Sequence, residues 1–143
     1  MKTLKQFIDS RPHKLASIRS DQSVLRALEI MAQYDVGALL VIDDDKLVGV
    51  FSERDYARKV ILQGKASRNT KVSEVMTGKV YYAGLETSFE ECMALMTEKH
   101  FRHLPILDAG NNVVGIISIG DVVKEILGQQ QFIISQMEKY ITG

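Results

Sequence analysis

Two segments of this 143-residue chain place a hydroxyl and a carboxylate at the same spacing. One is Gly49-Val50-Phe51-Ser52-Glu53-Arg54-Asp55 and the other is Gly115-Ile116-Ile117-Ser118-Ile119-Gly120-Asp121. Each closes an apolar run of strand character and opens a run with helical spacing. Two readings fit. In the first, serine caps a helix and the acid three residues on returns a hydrogen bond to the backbone, favoured also by the helix dipole. In the second, the same two groups face the crevice at the C-terminal end of a strand. There a carboxylate can accept two hydrogen bonds from a ribose diol, and the N–H groups of a helix start favour phosphate. The readings are compatible, because one serine can cap a helix and touch a ligand.

Other chemistry-bearing residues are weaker candidates. His100 and His103 form an H-x-x-H without a matching acid or cysteine cluster, so no metal site is expected. Cys92 lies on an apolar stripe and reads as a small core residue rather than a nucleophile. Arg54, Arg58, Lys59, Lys65, Arg68 and Lys71 form a basic stretch best read as a solvated face. No P-loop, zincin helix, nucleophile elbow or Gly-x-Gly-x-x-Gly is present.

The elements that must position the two segments repeat along the chain. Ser23–Asp43 aligns with Ser88–Asp108 at an offset of 65, with Ser23/Ser88, Met31/Met96, Leu39/Leu104 and Asp43/Asp108 identical. One extra residue in Asp108-Ala109-Gly110-Asn111-Asn112 raises the offset to 66, and Val48/Val114, Gly49/Gly115, Ser52/Ser118 and Asp55/Asp121 then coincide. Val24, Ala27, Leu28 and Met31 match Phe89, Cys92, Met93 and Met96, one face of a helix in each repeat. Ser23 and Ser88 stand at the N-cap, and Glu91 would complete a capping box. Two apolar runs follow in each repeat: Ala38–Ile42 with Leu47–Phe51, and Leu104–Leu107 with Val113–Ile117. Being nearly continuous, they predict strands buried on both faces. A second helix follows, over Glu53–Leu62 and from Ile119 onward, with Gly64 as the C′ residue of the first. Short extended leads are expected at Leu15–Ile18 and Val80–Tyr82. Single helical turns are expected at Val72–Met76 and, as its partner, Leu4–Ile8.

Composition bounds the class. Lys+Arg and Asp+Glu are 18 each, so neither nucleic acid nor an anionic membrane is an expected partner. A single cysteine excludes an internal disulfide and fits a reducing cytoplasm. The apolar runs fall far short of the ~20 residues of a membrane helix, and no signal-peptide h-region follows Met1.

In order and duplication these features resemble the cystathionine-β-synthase (CBS) domain pair, or Bateman module. The signs are the doubled helix–strand–strand–helix, the two Gly-x-x-x-Ser-x-x-Asp ends, and Arg102-His103-Leu104-Pro105-Ile106 leading a strand. The resemblance implies an α/β (α+β) fold of tandem repeats, each with a short leading strand, packed about a pseudo-twofold. Residues 1–143 would form one CBS pair: repeat one about 10–64, a connector about 65–71, repeat two about 72–128, and a C-terminal helix about 129–143, separated near Gly128. It also implies an adenosine-containing ligand in the cleft between repeats, with AMP favoured and NAD or ATP as alternatives. Asp121 and its counterpart Asp55 would contact ribose. Ser118 and Ser52 would touch ribose or phosphate. Thr77, Lys79, Val80 and Tyr82 would help enclose adenine, with Lys14 and Ser17 as the counterparts in the first repeat. Pro105 and Ile116 belong to the same expected site.

The repeats are not equivalent. The second has Arg102-His103 where the first has Gly37-Ala38, and only the former pair can donate to phosphate. The second has Gly120, which permits close approach, where the first has Arg54, which could itself reach a phosphate with Arg58. One good site using Asp121 is expected, and a second of uncertain occupancy. The expected function is a stand-alone, cytoplasmic regulatory module and not an enzyme. It has no catalytic cofactor, and it signals through its conformation, its assembly or a protein partner. The alternative is a structural or partner-binding protein with a vestigial pocket. An enzyme would have to rely on Asp121 with His103. The apolar residues from Phe132 to Ile141 exceed what one repeat needs for cover and predict a homodimer.

Overall fold

A computed structural model of the chain describes residues 2–10 and 15–142. The described residues form two compact units. Among the described residues one comprises 15–81; the other joins 2–10 to 82–142.

In the first unit, β1 (Ser17–Ile18) runs parallel to β2 (Ala38–Asp43), which pairs antiparallel with β3 (Lys46–Ser52). α2 (Val24–Tyr34) begins at Ser23, whose Oγ accepts from Arg26 N–H, and ends at Asp35 in the left-handed region. Its stripe, Val24, Ala27 and Met31, joins Leu39, Val41 and Phe51 in one core. Residues 38–41 are all buried, as a continuous apolar run requires. β3 leads into α3 (Glu53–Tyr56), which continues as a π-helical turn over Ala57–Ile61, with Leu62 N–H donating to Ala57 C=O at 3.1 Å. The expected single α-helix over Glu53–Leu62 is therefore corrected to one α turn followed by one π turn. Gly64, at φ +69°, closes it: Gly64 N–H reaches Ile61 C=O and Lys65 N–H reaches Val60 C=O, the paired bonds of a Schellman end. α4 (Val72–Val75) then packs Val72 and Val75 into this same core.

In the second unit, α1 (Leu4–Asp9), capped by Thr3, buries Leu4, Phe7 and Ile8. Phe7 meets Phe89 edge-on with ring centres 5.9 Å apart. β4 (Ala83–Gly84) runs parallel to β5 (His103–Leu107), which pairs antiparallel with β6 (Val113–Ser118). The lead expected at Val80–Tyr82 is corrected to Ala83–Gly84, so Tyr82 precedes the strand. α5 (Phe89–Lys99) is capped by Ser88, but Glu91 accepts from the Ser88 hydroxyl, not from its backbone as a full box would require. Both sheets carry a register shift at the same place, between Val41 and Ile42 and between Ile106 and Leu107.

α6 runs unbroken over Ile119–Thr142. The separate C-terminal helix from 129 is thus corrected: Gly128 lies mid-helix, where its cost of about 1 kcal/mol relative to alanine is too small to end it. At 24 residues it is about 36 Å long, and residues 130–141 are exposed.

The chain crosses over in packing. α1 precedes the first repeat but packs with the second; α4 precedes the second but packs with the first. The repeated glycines receive them. A β-carbon on Gly49 would stand 2.7 Å from Met76 Sδ and 2.9 Å from Thr77 O, and one on Gly115 would collide with Ile8 Cδ1.

Candidate functional site

The two Ser-x-x-Asp segments fold into the same junction. Ser52 Oγ accepts from Asp55 N–H at 3.2 Å, and Asp55 Oδ2 accepts from Ser52 N–H at 3.0 Å. In the second repeat Ser118 Oγ accepts from Asp121 N–H at 3.1 Å, and Asp121 Oδ2 accepts from Ser118 N–H at 2.9 Å. The next N–H is held alike, Glu53 to Gly37 C=O at 3.0 Å and Ile119 to Arg102 C=O at 2.8 Å. The capping reading therefore describes both junctions. It uses one oxygen of each carboxylate.

Strand register gathers the second repeat's candidates. His103 lies directly across from Ser118, and Pro105 across from Ile116. Arg102 is exposed just before β5, His103 and Asp121 are half-buried, and Pro105 is buried. Gly120 is exposed, and a β-carbon there would make only an ordinary 3.6 Å contact with Ser118 Oγ. Packing within the unit does not demand glycine at this position. In the first repeat Ala38 lies across from Ser52, so no side-chain donor occupies the place of His103.

Asp55 is more enclosed, at 7% exposure. Its Oδ2 also accepts from Ser52 Oγ at 3.0 Å; its Oδ1 accepts from Thr77 Oγ1 at 3.1 Å and lies 3.0 Å from Lys59 Nζ. Thr77 is fixed by two backbone bonds with Val50, at 3.0 and 2.9 Å. Its own N–H and C=O are thus committed within the first unit. Lys79, exposed, stands with Nζ 5.8 Å from the centre of the Tyr81 ring. Val80 is half-buried, and Tyr82 is exposed ahead of β4. Arg54 is half-buried on α3. Ser17 lines an open concavity of about 430 Å³ with Arg19, Arg26, Ile30, Ile42 and Asp44, and none of Ser52, Arg54 or Asp55 borders it. Lys14 lies outside the described residues.

Lys59 as a partner of Asp55 escaped the sequence reading, which placed it among solvated basic residues. The available signal was a change of offset. Lys59, Ile61 and Leu62 align with Lys124, Ile126 and Leu127 at 65, whereas Asp55 and Asp121 align at 66.

Cys92 is fully buried, and burial, with a smaller contribution from the Glu91 charge, pushes its thiol up to about 11. At neutral pH it is protonated and a poor nucleophile. Among the described residues no group of three or more His, Cys, Asp or Glu is placed to hold a metal ion. No described helix is long and apolar enough to cross a membrane.

Two three-stranded sheets, each built as parallel lead, antiparallel pair and flanking helices, with a capped Ser-x-x-Asp at each junction, define a tandem-repeat α/β protein. The chain belongs to the CBS-domain family: the CBS domain matches residues 8–61 and 72–128. A mitochondrial CBS domain-containing protein of Arabidopsis thaliana, CBSX3, is 38% identical over 130 residues, 87% of this chain and 62% of that protein. The chain thus spans less than two thirds of that relative's length. A solved CBS-domain protein of Burkholderia ambifaria is 45% identical, with a TM-score of 0.84 over 90% of this chain and 96% of that one. The CBS domain pair of protein MJ0100, solved with methylthioadenosine and S-adenosylmethionine, shares the fold at 24% identity, with a TM-score of 0.75 over 85% and 95% of the two chains.

Proposed function

We propose that the chain is a regulatory module, not an enzyme, that binds an adenosine-containing ligand at the β6–α6 junction of its second repeat. AMP is the favoured ligand, with ATP and NAD as alternatives. The observation that carries this reading is the register that sets His103 across from Ser118, beside Arg102 and one helical turn from Asp121. A carboxylate suited to a diol and two side-chain donors for phosphate thus share one strand end. Gly120 supports it, since its missing side chain leaves room at the helix start that packing does not use. The adenosyl ligands of MJ0100, a protein of the same fold, are of the same chemical class. Ligand binding would act by population shift, favouring the conformation that holds the nucleotide better. A cytoplasmic location and a homodimer joined through α6 complete the proposal. The dimer is supported by the exposure of Phe132, Ile133, Ile134 and Met137 on one helix.

Thermal melting against adenosine, AMP, ATP, NAD and S-adenosylmethionine tests it. A native-state ligand at a hundredfold excess over Kd stabilises by about 2.7 kcal/mol, so at least one should raise Tm by several degrees. No shift with any of them rejects nucleotide binding and favours a partner-binding protein presenting the α6 face.

A further inference from the structure

We propose that Lys59 and Thr77 withhold the first repeat's carboxylate from a ligand, so that Asp55 is an internal latch and not a ribose contact. The inference rests on the nucleotide reading above and adds which residues close the first junction.

A carboxylate offers about four acceptor positions, and all four on Asp55 are engaged: Ser52 N–H and Oγ on Oδ2, Thr77 Oγ1 and Lys59 Nζ on Oδ1. A ribose diol would have to displace Thr77 or Lys59 from a carboxylate only 7% exposed. The Thr77 backbone is held by both of its bonds with Val50, so only rotation about χ1, which is stiff in a β-branched residue, would release Oγ1. Lys59 owes its place to one inserted residue. Three residues separate Asp55 from Lys59, but two separate Asp121 from Lys124. The helix absorbs the extra residue as the π turn over Ala57–Ile61, and the lysine falls four places after the acid, at 3.0 Å. The second repeat has the opposite chemistry at both positions. Four places after Asp121 stands Glu125. The residue following the one that fills the glycine notch is Thr77, after Met76, in the first unit; in the second it is Asp9, after Ile8. A carboxyl group is neither the ammonium of Lys59 nor the hydroxyl of Thr77, so neither residue reproduces the contacts that these two make with Asp55.

Calorimetric titration of the full chain with adenosine and AMP reads the stoichiometry. Wild type should bind one ligand per chain, and Asp121→Ala should weaken that binding roughly ten- to hundredfold. Lys59→Met with Thr77→Val should bind two, the second lost on adding Asp55→Ala. Lys59→Met alone, a change at a half-exposed side chain, serves if the double variant folds poorly, and should show the second site weakly. Two ligands bound by wild type, one of them lost in Asp55→Asn, overturns the latch while leaving nucleotide binding intact. A folded double variant that still binds one also overturns it. No ligand bound by wild type or any variant rejects the nucleotide reading itself and, with it, the assignment of these residues as gatekeepers.

Discussion

Ile8, in the helix that opens the chain, fills the notch left by Gly115 in the second repeat, more than a hundred residues away in sequence. Met76 does the same for Gly49 in the first, but there the backbone carbonyl of Thr77 comes as well, 2.9 Å from where a β-carbon would stand. One repeated glycine therefore receives a flexible side-chain end, and the other a fixed peptide group.

Gly49→Ala should accordingly destabilise the protein more than Gly115→Ala. A methyl forced against the Thr77 carbonyl strains the Val50–Thr77 bridge and should cost about 1–3 kcal/mol. Ile8 can change rotamer to accept the other. Urea unfolding of both variants reads the difference; equal losses would mean that the Thr77 peptide yields as readily as a side chain.

Asp121→Ala should reduce adenosine affinity roughly ten- to hundredfold, the loss of charge-assisted bonds worth about 1.5–3 kcal/mol. The protein should remain folded, because Ser118 still caps α6. Calorimetry alongside melting checks this. Unchanged affinity with a lowered Tm would reduce Asp121 to a helix-start residue.

Arg102→Ala should weaken AMP more than adenosine, since the exposed guanidinium contributes little to packing and is suited to the phosphate. The ratio of the two dissociation constants is the readout. An equal loss for both ligands would show that the change acts on the β5 strand end and not on the phosphate.

Acid should destabilise the fold through two aspartates at equivalent strand ends. The Ser20 hydroxyl and N–H hold the Asp43 carboxyl below the usual carboxylate range, and the Asn112 N–H does the same for Asp108. A lowered folded-state pKa gives stability present above the unfolded value, about 3.9, and lost as pH falls through the folded one. Melting should therefore drop most steeply below about pH 4. Asp43→Asn should flatten that drop; an unaltered acid profile in Asp43→Asn together with Asp108→Asn would discard this origin.

The 143-residue chain should be a dimer at micromolar concentration, and Ile134→Glu with Met137→Glu should make it monomeric without lowering its helix content. Light scattering and circular dichroism decide it. A monomeric wild type rejects the dimer, and a dimeric double variant rejects the role of this face of α6.

Much of the fold is legible in the residues because it is local or periodic. The stripes Val24–Met31 and Phe89–Met96, the caps at Ser23 and Ser88, Gly64 at the helix end and the paired apolar runs each follow from short-range rules, and duplication reinforces them. The same locality exposed both Ser-x-x-Asp junctions. What sequence could not decide is anything set by competition between distant segments. α1 and α4 have nearly interchangeable apolar faces, and which repeat each one joins depends on chain crossing and on the notches at Gly115 and Gly49. The one-residue insertion before Lys59 is visible as an offset. Only tertiary structure shows it absorbed as a π turn, with Lys59, four residues after Asp55, and Thr77, 22 residues after it, meeting on that carboxylate. Periodicity fixes which face of a helix is buried, but the partner that satisfies a buried carboxylate is chosen by packing across the chain.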